Sequence, residues 1–245
     1  MENIGESQNR NIEFNKKFNR NNLIKSLVSV EKPVIFDVGA HWGESIDYFK
    51  ALFSASMIYS FEPDPESFDL LTKRDYTDVN YFNLALSSKI GELSFFRNEI
   101  SHTNSLFKVN LESKDSIGIT KAKNSGNVDF FNNFNSEVKV KTSTLDEICK
   151  NNSIHLIDLL KIDVQGAECE VLKGGKNIMR NTKVIIIEIS FFDYYENHTT
   201  FLDVETILSP LNFSLFSISE ISNNPMNGRT DWVEAIYINK DFQIK

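Results

Sequence analysis

Val34-Ile35-Phe36-Asp37-Val38-Gly39-Ala40-His41-Trp42-Gly43 is an apolar strand that ends in an acid and then turns on two glycines. Glu44 and Ser45 follow, and Ile46, Phe49 and Phe53 recur at helical spacing, so the turn opens an amphipathic helix. This pattern predicts the first βα turn of a doubly wound α/β sheet, where glycines let a ligand approach the backbone. The spacing is Gly-x-x-x-Gly, not the Gly-x-Gly-x-x-Gly of a pyrophosphate cradle. Ile58-Tyr59-Ser60-Phe61-Glu62 then reads as a second strand closed by a carboxylate, about 20 residues on, where such an acid grips a ribose diol. Asp37 beside the loop would repel a pyrophosphate. It suits the ammonium and sulfonium of S-adenosylmethionine, because opposite charges attract.

Working outward, Phe14, Phe18, Leu23, Leu27 and Val30 fall at helical intervals and predict one helix across the domain entrance, after a polar tail. Pro33 ends it. Asp64 is a good N-cap and Pro65 a good first helical residue, so a second crossover helix should run to about Arg74. Tyr81 to Leu86 reads as a third buried strand, Glu92 to Phe96 as a hairpin arm, and Val138 to Thr142 as an edge strand. Between them, about 97–137 is a polar, Asn- and Ser-rich insert. Thr144 and Glu147 make a capping box that opens a helix through Lys150. Leu156 to Val164 and Val184 to Ile189 are near-continuous apolar runs of the kind a doubly covered parallel sheet requires. A helix at Phe201 to Leu208 and strands at Ser214 to Ile218 and Trp232 to Ile238 finish the chain. The organisation expected is an N-terminal tail and helix over 1–32 and a single domain over 33–245.

Composition narrows the function classes. With 245 residues, 41% of them hydrophobic, one α/β domain with a sizeable core is expected. The net charge of −8 argues against a nucleic-acid partner. No stretch approaches the roughly 20 apolar residues that cross a bilayer, and the polar N-terminus lacks a signal core, so a cytoplasmic location is expected. Cys149 and Cys169 read as reduced core thiols in helices. The oligomeric state is open.

Phe36 to Gly43, Phe61-Glu62-Pro63, Asn83 to Ser87, Thr144-Leu145-Asp146, Leu160 to Glu168 and Ile187-Glu188 occur in an order that resembles the FkbM-type methyltransferases, over roughly Pro33 to Ile189. The resemblance implies a class I methyltransferase fold, a mostly parallel seven-stranded sheet with helices on both faces and one antiparallel strand near the C-terminal edge. It also implies S-adenosylmethionine as donor and an oxygen acceptor on a saccharide, nucleotide-sugar or natural product. His41 and Gln165 depart from the family pattern, which commonly has Asn and Glu there, so a carboxylate at 165 has no counterpart in this chain.

Gly39 and Gly43, with Ala40 and His41 between them, are the expected contacts to the methionine half of the cofactor; the plain alternative is a structural turn. Glu62 should accept from both ribose hydroxyls, as only an ionised carboxylate can in bidentate fashion. Ala85 and Leu86 are placed against the adenine, or simply belong to a buried strand. Asp37 either complements the donor's charge or caps local amides. Asp163, at the carboxyl edge of the fourth core strand, either steers the acceptor and cofactor or caps the helix after Gly166. Glu168 reads as first-turn charge on that helix. Glu188 closes an apolar central strand, where burial would raise its pKa to suit a general base; a structural hydrogen bond serves equally. His102, in Ser101-His102-Thr103-Asn104-Ser105, is the imidazole best placed for catalysis. Phe191, Phe192, Tyr194, Tyr195 and Trp232 could form a sugar platform or pack a helix. No metal site is expected, since the sequence offers no compact ligand cluster.

The reading is therefore an O-methyltransferase for a small-molecule or glycan acceptor. Two alternatives stand beside it. A nicotinamide-type dehydrogenase is disfavoured by the glycine spacing and Asp37. A non-catalytic carbohydrate-binding or assembly module would keep the fold without turnover.

Overall fold

The computed structural model describes residues 7–113 and 134–242. Its main sheet has seven strands: β1 (Val34–Val38), β2 (Met57–Phe61), β3 (Val79–Phe82), β7 (Ile157–Ile162), β8 (Thr182–Ser190), β9 (Phe213–Asn223) and β10 (Thr230–Asn239). They lie in the order β3-β2-β1-β7-β8-β10-β9. All adjacent pairs from β3 to β8 are parallel, and β10 runs antiparallel between β8 and β9. This is the sheet expected of a class I methyltransferase, with its one reversed strand next to the C-terminal edge.

Alternation along each strand sorts side chains into two cores, since successive residues point to opposite faces. Phe36, Leu160, Ile185 and Ile187 face α5 (Leu145–Asn151), α6 (Glu168–Lys173) and α7 (Phe201–Leu208). Ile35, Leu159, Val184 and Ile186 face α2 (Arg20–Leu27), α3 (Glu44–Leu52) and α4 (Pro65–Leu71). Both faces are covered, so the central strands are mostly apolar. Cys149 and Cys169 are buried free thiols in α5 and α6, and burial pushes them up to about 12 and about 11.

Several local expectations change. The N-terminal helix is two helices, α1 (Ser7–Lys17) and α2, because the Asn19 side chain accepts from Asn22 N–H at 2.9 Å and starts a new one. Only α2 reaches the core; Phe14 and Phe18 are exposed and pack on each other. The run 81–86 is not one strand. The Asn83 amide donates to the Glu62 and Pro63 carbonyls (2.9 and 3.2 Å), and the chain leaves the main sheet there. Ala85–Leu86 becomes β4 of a second sheet, ordered β4-β6-β5, with β5 (Gly91–Arg97) and β6 (Ser136–Ser143). The 138–142 segment is therefore the middle strand of that sheet, not an edge. Thr144 caps α5 by accepting from Glu147 N–H at 3.1 Å, while the reciprocal box sits at Thr200 and Asp203. The insert links β5 to β6, which pair Arg97 with Ser136; its residues 114–133 lie outside those described.

Candidate active site

The carboxyl ends of β1, β2, β7 and β8, the small sheet and the 100–106 segment enclose a cavity of about 1180 Å³. Its floor is bare backbone. Gly39 has φ +83, and a Cβ there would stand 1.8 Å from the Asp163 carbonyl oxygen, so no side chain fits where the β1 loop crosses the end of β7. The loop is pinned by Gly39 N–H and Ala40 N–H, which donate to the Phe61 carbonyl at 3.1 and 3.0 Å. Gly43, at φ +91, is the N-cap of α3.

On one side of this floor stands Glu62. Its carboxylate accepts from His41 N–H (2.9 Å) and Asp64 N–H (2.8 Å), one bond to each oxygen. Burial raises its pKa to about 8, despite those two donors. His41 adopts φ +48, its ring stacked on Trp42 and tilted against His102 with centroids 4.4 and 4.0 Å away. Burial, then the neighbouring His102, lowers its pKa to about 4, so it is neutral at physiological pH. The His41 Nε2 lies 2.9 Å from Ser101 Oγ.

On the other side is a charged group built by strand parity. Asp37, Lys161 and Glu188 each lie two residues beyond a member of the α2–α3–α4 core (Ile35, Leu159, Ile186), so they emerge on the same face. Lys161 donates to the Gly39 carbonyl at 3.0 Å and lies 3.5 Å from Asp37 and 3.4 Å from Asp163. Burial alone would lower the lysine, but Asp163 and Asp37 outweigh it and hold the ammonium charged. Ser45 donates to the other Asp37 oxygen at 2.6 Å. Gln165, in the left-handed region at φ +58, donates to Asp163 (2.8 Å) and Glu188 (3.3 Å) and accepts from the Tyr195 hydroxyl (2.9 Å). Burial, with Asp163 and Glu168 nearby, raises Glu188 well above the usual carboxylate range. Burial also raises Glu168 to about 7, although it accepts from Gly166 N–H at 2.9 Å.

The residues read from sequence divide into two groups. Gly39, His41, Glu62, Ala85, Leu86, His102, Asp163 and Glu188 all line the cavity. Asp37, Ala40 and Gly43 stand behind that lining; Asp37 is fully buried, with its charge answered by Lys161. Sequence reasoning gave no role to Lys161, saw Gln165 only as a missing carboxylate and Tyr195 only as a platform or packing aromatic, and read Glu168 as first-turn helix charge. The available signal was a lysine and a glutamate each interrupting an apolar central strand. Beyond Glu188, Phe192, Tyr194 and Trp232 line the rest of the cavity together with Asn223, Asn224 and Asn227 of the β9–β10 hairpin. The Arg229 guanidinium packs over the Phe192 ring at 4.6 Å.

The family described as the methyltransferase FkbM domain matches residues 37–215, a span that includes Gly39, Glu62, Asp163 and Glu188. This chain belongs to that family. Curated FkbM-like relatives include the 2-O-methyltransferase NoeI of Sinorhizobium fredii, 30% identical over 71% of this chain and 70% of that protein. The hexuronic acid methyltransferase AglP of Haloferax volcanii is 28% identical over 65% of this chain and 56% of its own length. The methyltransferase sdnD of Sordaria araneosa is 30% identical over 58% of this chain and 60% of its own length. Thus the chain spans less than two thirds of the latter two relatives. Family membership implies methyl transfer with S-adenosylmethionine as donor, and favours the methyltransferase reading over the dehydrogenase one. Among the described residues no helix is long and apolar enough to cross a membrane.

Proposed function

We propose that this FkbM-family chain transfers a methyl group from S-adenosylmethionine to a hydroxyl of a saccharide, presented as a small molecule or within a glycan. The observation that carries the reading is one cavity with a backbone floor at Gly39, a locked carboxylate at Glu62 and a hydrogen-bonded acidic pair at its far side. These residues fit the adenosyl group. Glu62 keeps a free lone pair on each oxygen for the ribose hydroxyls, Ala85 and Leu86 offer an apolar wall for the base, and Gly39 lets the β1 loop pack against the end of β7 with no side chain between them. When bound, the cofactor supplies an already activated methyl group.

The chain's own task is then alignment and proton handling. Gln165 holds Asp163 and Glu188 on one amide, which fixes both carboxylates at the edge of the aromatic half of the cavity. Glu188, raised by burial, takes the acceptor's proton at its carboxylate oxygen; Asp163 orients the hydroxyl. Phe192, Tyr194 and Trp232 provide apolar faces for a sugar ring, and the hairpin asparagines provide its hydrogen-bond partners. The name of AglP supports a sugar-acid type of acceptor, and that of NoeI supports transfer to oxygen.

The test is methyl transfer from labelled S-adenosylmethionine to saccharide acceptors, with cofactor binding followed by calorimetry. Cofactor binding and labelling of a glycan hydroxyl are expected. No binding at millimolar cofactor, or labelling confined to protein or nucleic acid, would overturn the proposal.

A further inference from the structure

His41 and Glu44 are near neighbours in sequence and His102 lies far downstream, and the fold brings the three together at the cavity rim. One ligand atom from each of His41, Glu44 and His102 lies within 4.8 Å of the other two. We propose that these three side chains form a binding site for a divalent transition metal of the zinc type. The site is independent of the methyl-transfer reading.

The donor set selects the ion. Two imidazoles and one carboxylate suit zinc or cobalt, whereas magnesium and calcium favour all-oxygen sites. Three protein ligands leave a fourth position open, as in non-structural zinc sites.

His41 is the anchor. Its Nδ1 is buried and has no hydrogen-bond partner among the described residues, and it faces the Glu44 carboxylate at 3.9 Å. Its Nε2 lies against the Ser101 hydroxyl at 2.9 Å. With the proton on Nε2 and donated to Ser101, the Nδ1 lone pair points at the cluster. Metal-bound histidines use their second nitrogen in this way, to fix tautomer and ring orientation. The backbone of His41 is held as well, its N–H on Glu62, and its ring packs against both Trp42 and His102, which also touch each other.

The other two ligands can close onto that anchor. Glu44 begins α3 and His102 sits in the turn Ser101–Thr103, and both side chains are solvent-exposed. Metal–ligand bonds of about 2.0–2.2 Å require the two to draw inward by rotamer changes, which exposed side chains permit. The α3 N-terminus disfavours a cation by well under the strength of a chelate, and the Glu44 carboxylate offsets it. A bound ion would tie the β1–α3 loop to the 101–103 turn across the rim of the cavity. The metal is thus a clasp between two chain segments that also meet through the His41–Ser101 and His41–His102 side-chain contacts.

The experiment is equilibrium dialysis of the chelator-stripped full chain against zinc, with cobalt substitution read by visible absorption. About one zinc per chain and the intense bands of four-coordinate cobalt are expected. Glu44→Gln and His102→Ala should each weaken binding at least 10-fold, and Ser101→Ala by about 10-fold, as loss of an outer partner does. His155→Ala and His198→Ala, distant in sequence, should bind as wild type. Glu44 is exposed, so Glu44→Gln keeps the fold and circular dichroism checks it. Absence of stoichiometric binding, the weak spectrum of six-coordinate cobalt, or affinity unchanged by Glu44→Gln and His102→Ala would each overturn the proposal.

Discussion

Asp37 and Lys161 are register partners on neighbouring parallel strands β1 and β7, with their charged atoms 3.5 Å apart behind the cavity floor. Sequence reasoning aimed the Asp37 charge at the cofactor. The fold spends it on a buried lysine that also holds the Gly39 carbonyl and Asp163. The field in the cavity is therefore set by Glu62, Asp163 and Glu188, while Asp37 secures the loop from behind.

Because Asp37 is fully buried, removing its partner should leave an uncompensated charge. Lys161→Met is expected to destabilise the fold by about 3–5 kcal/mol, the range for breaking a buried pair. The double variant Asp37→Asn, Lys161→Met should recover much of that loss, since no lone charge remains. Urea denaturation of the three proteins measures both effects. A single variant as stable as wild type would mean that the pair contributes no constraint.

Glu62 carries the ribose assignment. Glu62→Ala removes two prospective ribose hydrogen bonds of up to about 1.5 kcal/mol each and orphans the His41 and Asp64 amides. Cofactor affinity should fall about 100-fold, with Glu62→Gln in between because an amide keeps one acceptor. Calorimetry with S-adenosylmethionine and its demethylated product reads the change. Equal affinity in Glu62→Ala would place the ribose elsewhere.

Glu188 gives a pH prediction. Burial and neighbouring Asp163 and Glu168 raise it well above its ordinary range, and a general base works only when ionised. Turnover should therefore climb with pH, through an inflection above the usual carboxylate values. Glu188→Gln should abolish that limb and lower kcat by about 10²–10⁴-fold while cofactor affinity stays within a few-fold. A variant with the wild-type profile would exclude Glu188 as the base.

How far the sequence was legible follows from which interactions are local. Strands β1, β2, β7 and β8 announce themselves as apolar runs, and the glycine turn and Glu62 can be located because a loop and a strand end are short-range features. The break after Phe82 cannot, because it depends on Asn83 bonding to Glu62 and Pro63 carbonyls on another strand. The same holds for the helix break at Asn19, one asparagine among many in a polar segment. Lys161 and Glu188 were visible as charges in apolar strands, but their shared face became meaningful only once the register of β1, β7 and β8 was known. Glu168 misled for a similar reason: helix-dipole logic accounts for its position, yet the chain folds over it and buries it.

That burial sets a pH dependence of stability. Glu168 is held at about 7 in the fold, above the ordinary 4.5, because burial disfavours its charge. The folded state therefore binds the proton more tightly than the unfolded one. This contribution is fully present below about pH 4.5 and is lost as pH rises through about 7. At 1.36 kcal/mol per pKa unit it amounts to about 3 kcal/mol. Glu168→Gln keeps an acceptor for Gly166 N–H and Val164 N–H and carries no charge at any pH. Its stability relative to wild type should rise from pH 5 to pH 8, as read by urea midpoints of the cofactor-free proteins. Parallel curves for the two proteins would mean that Glu168 ionises in the fold as it does in water.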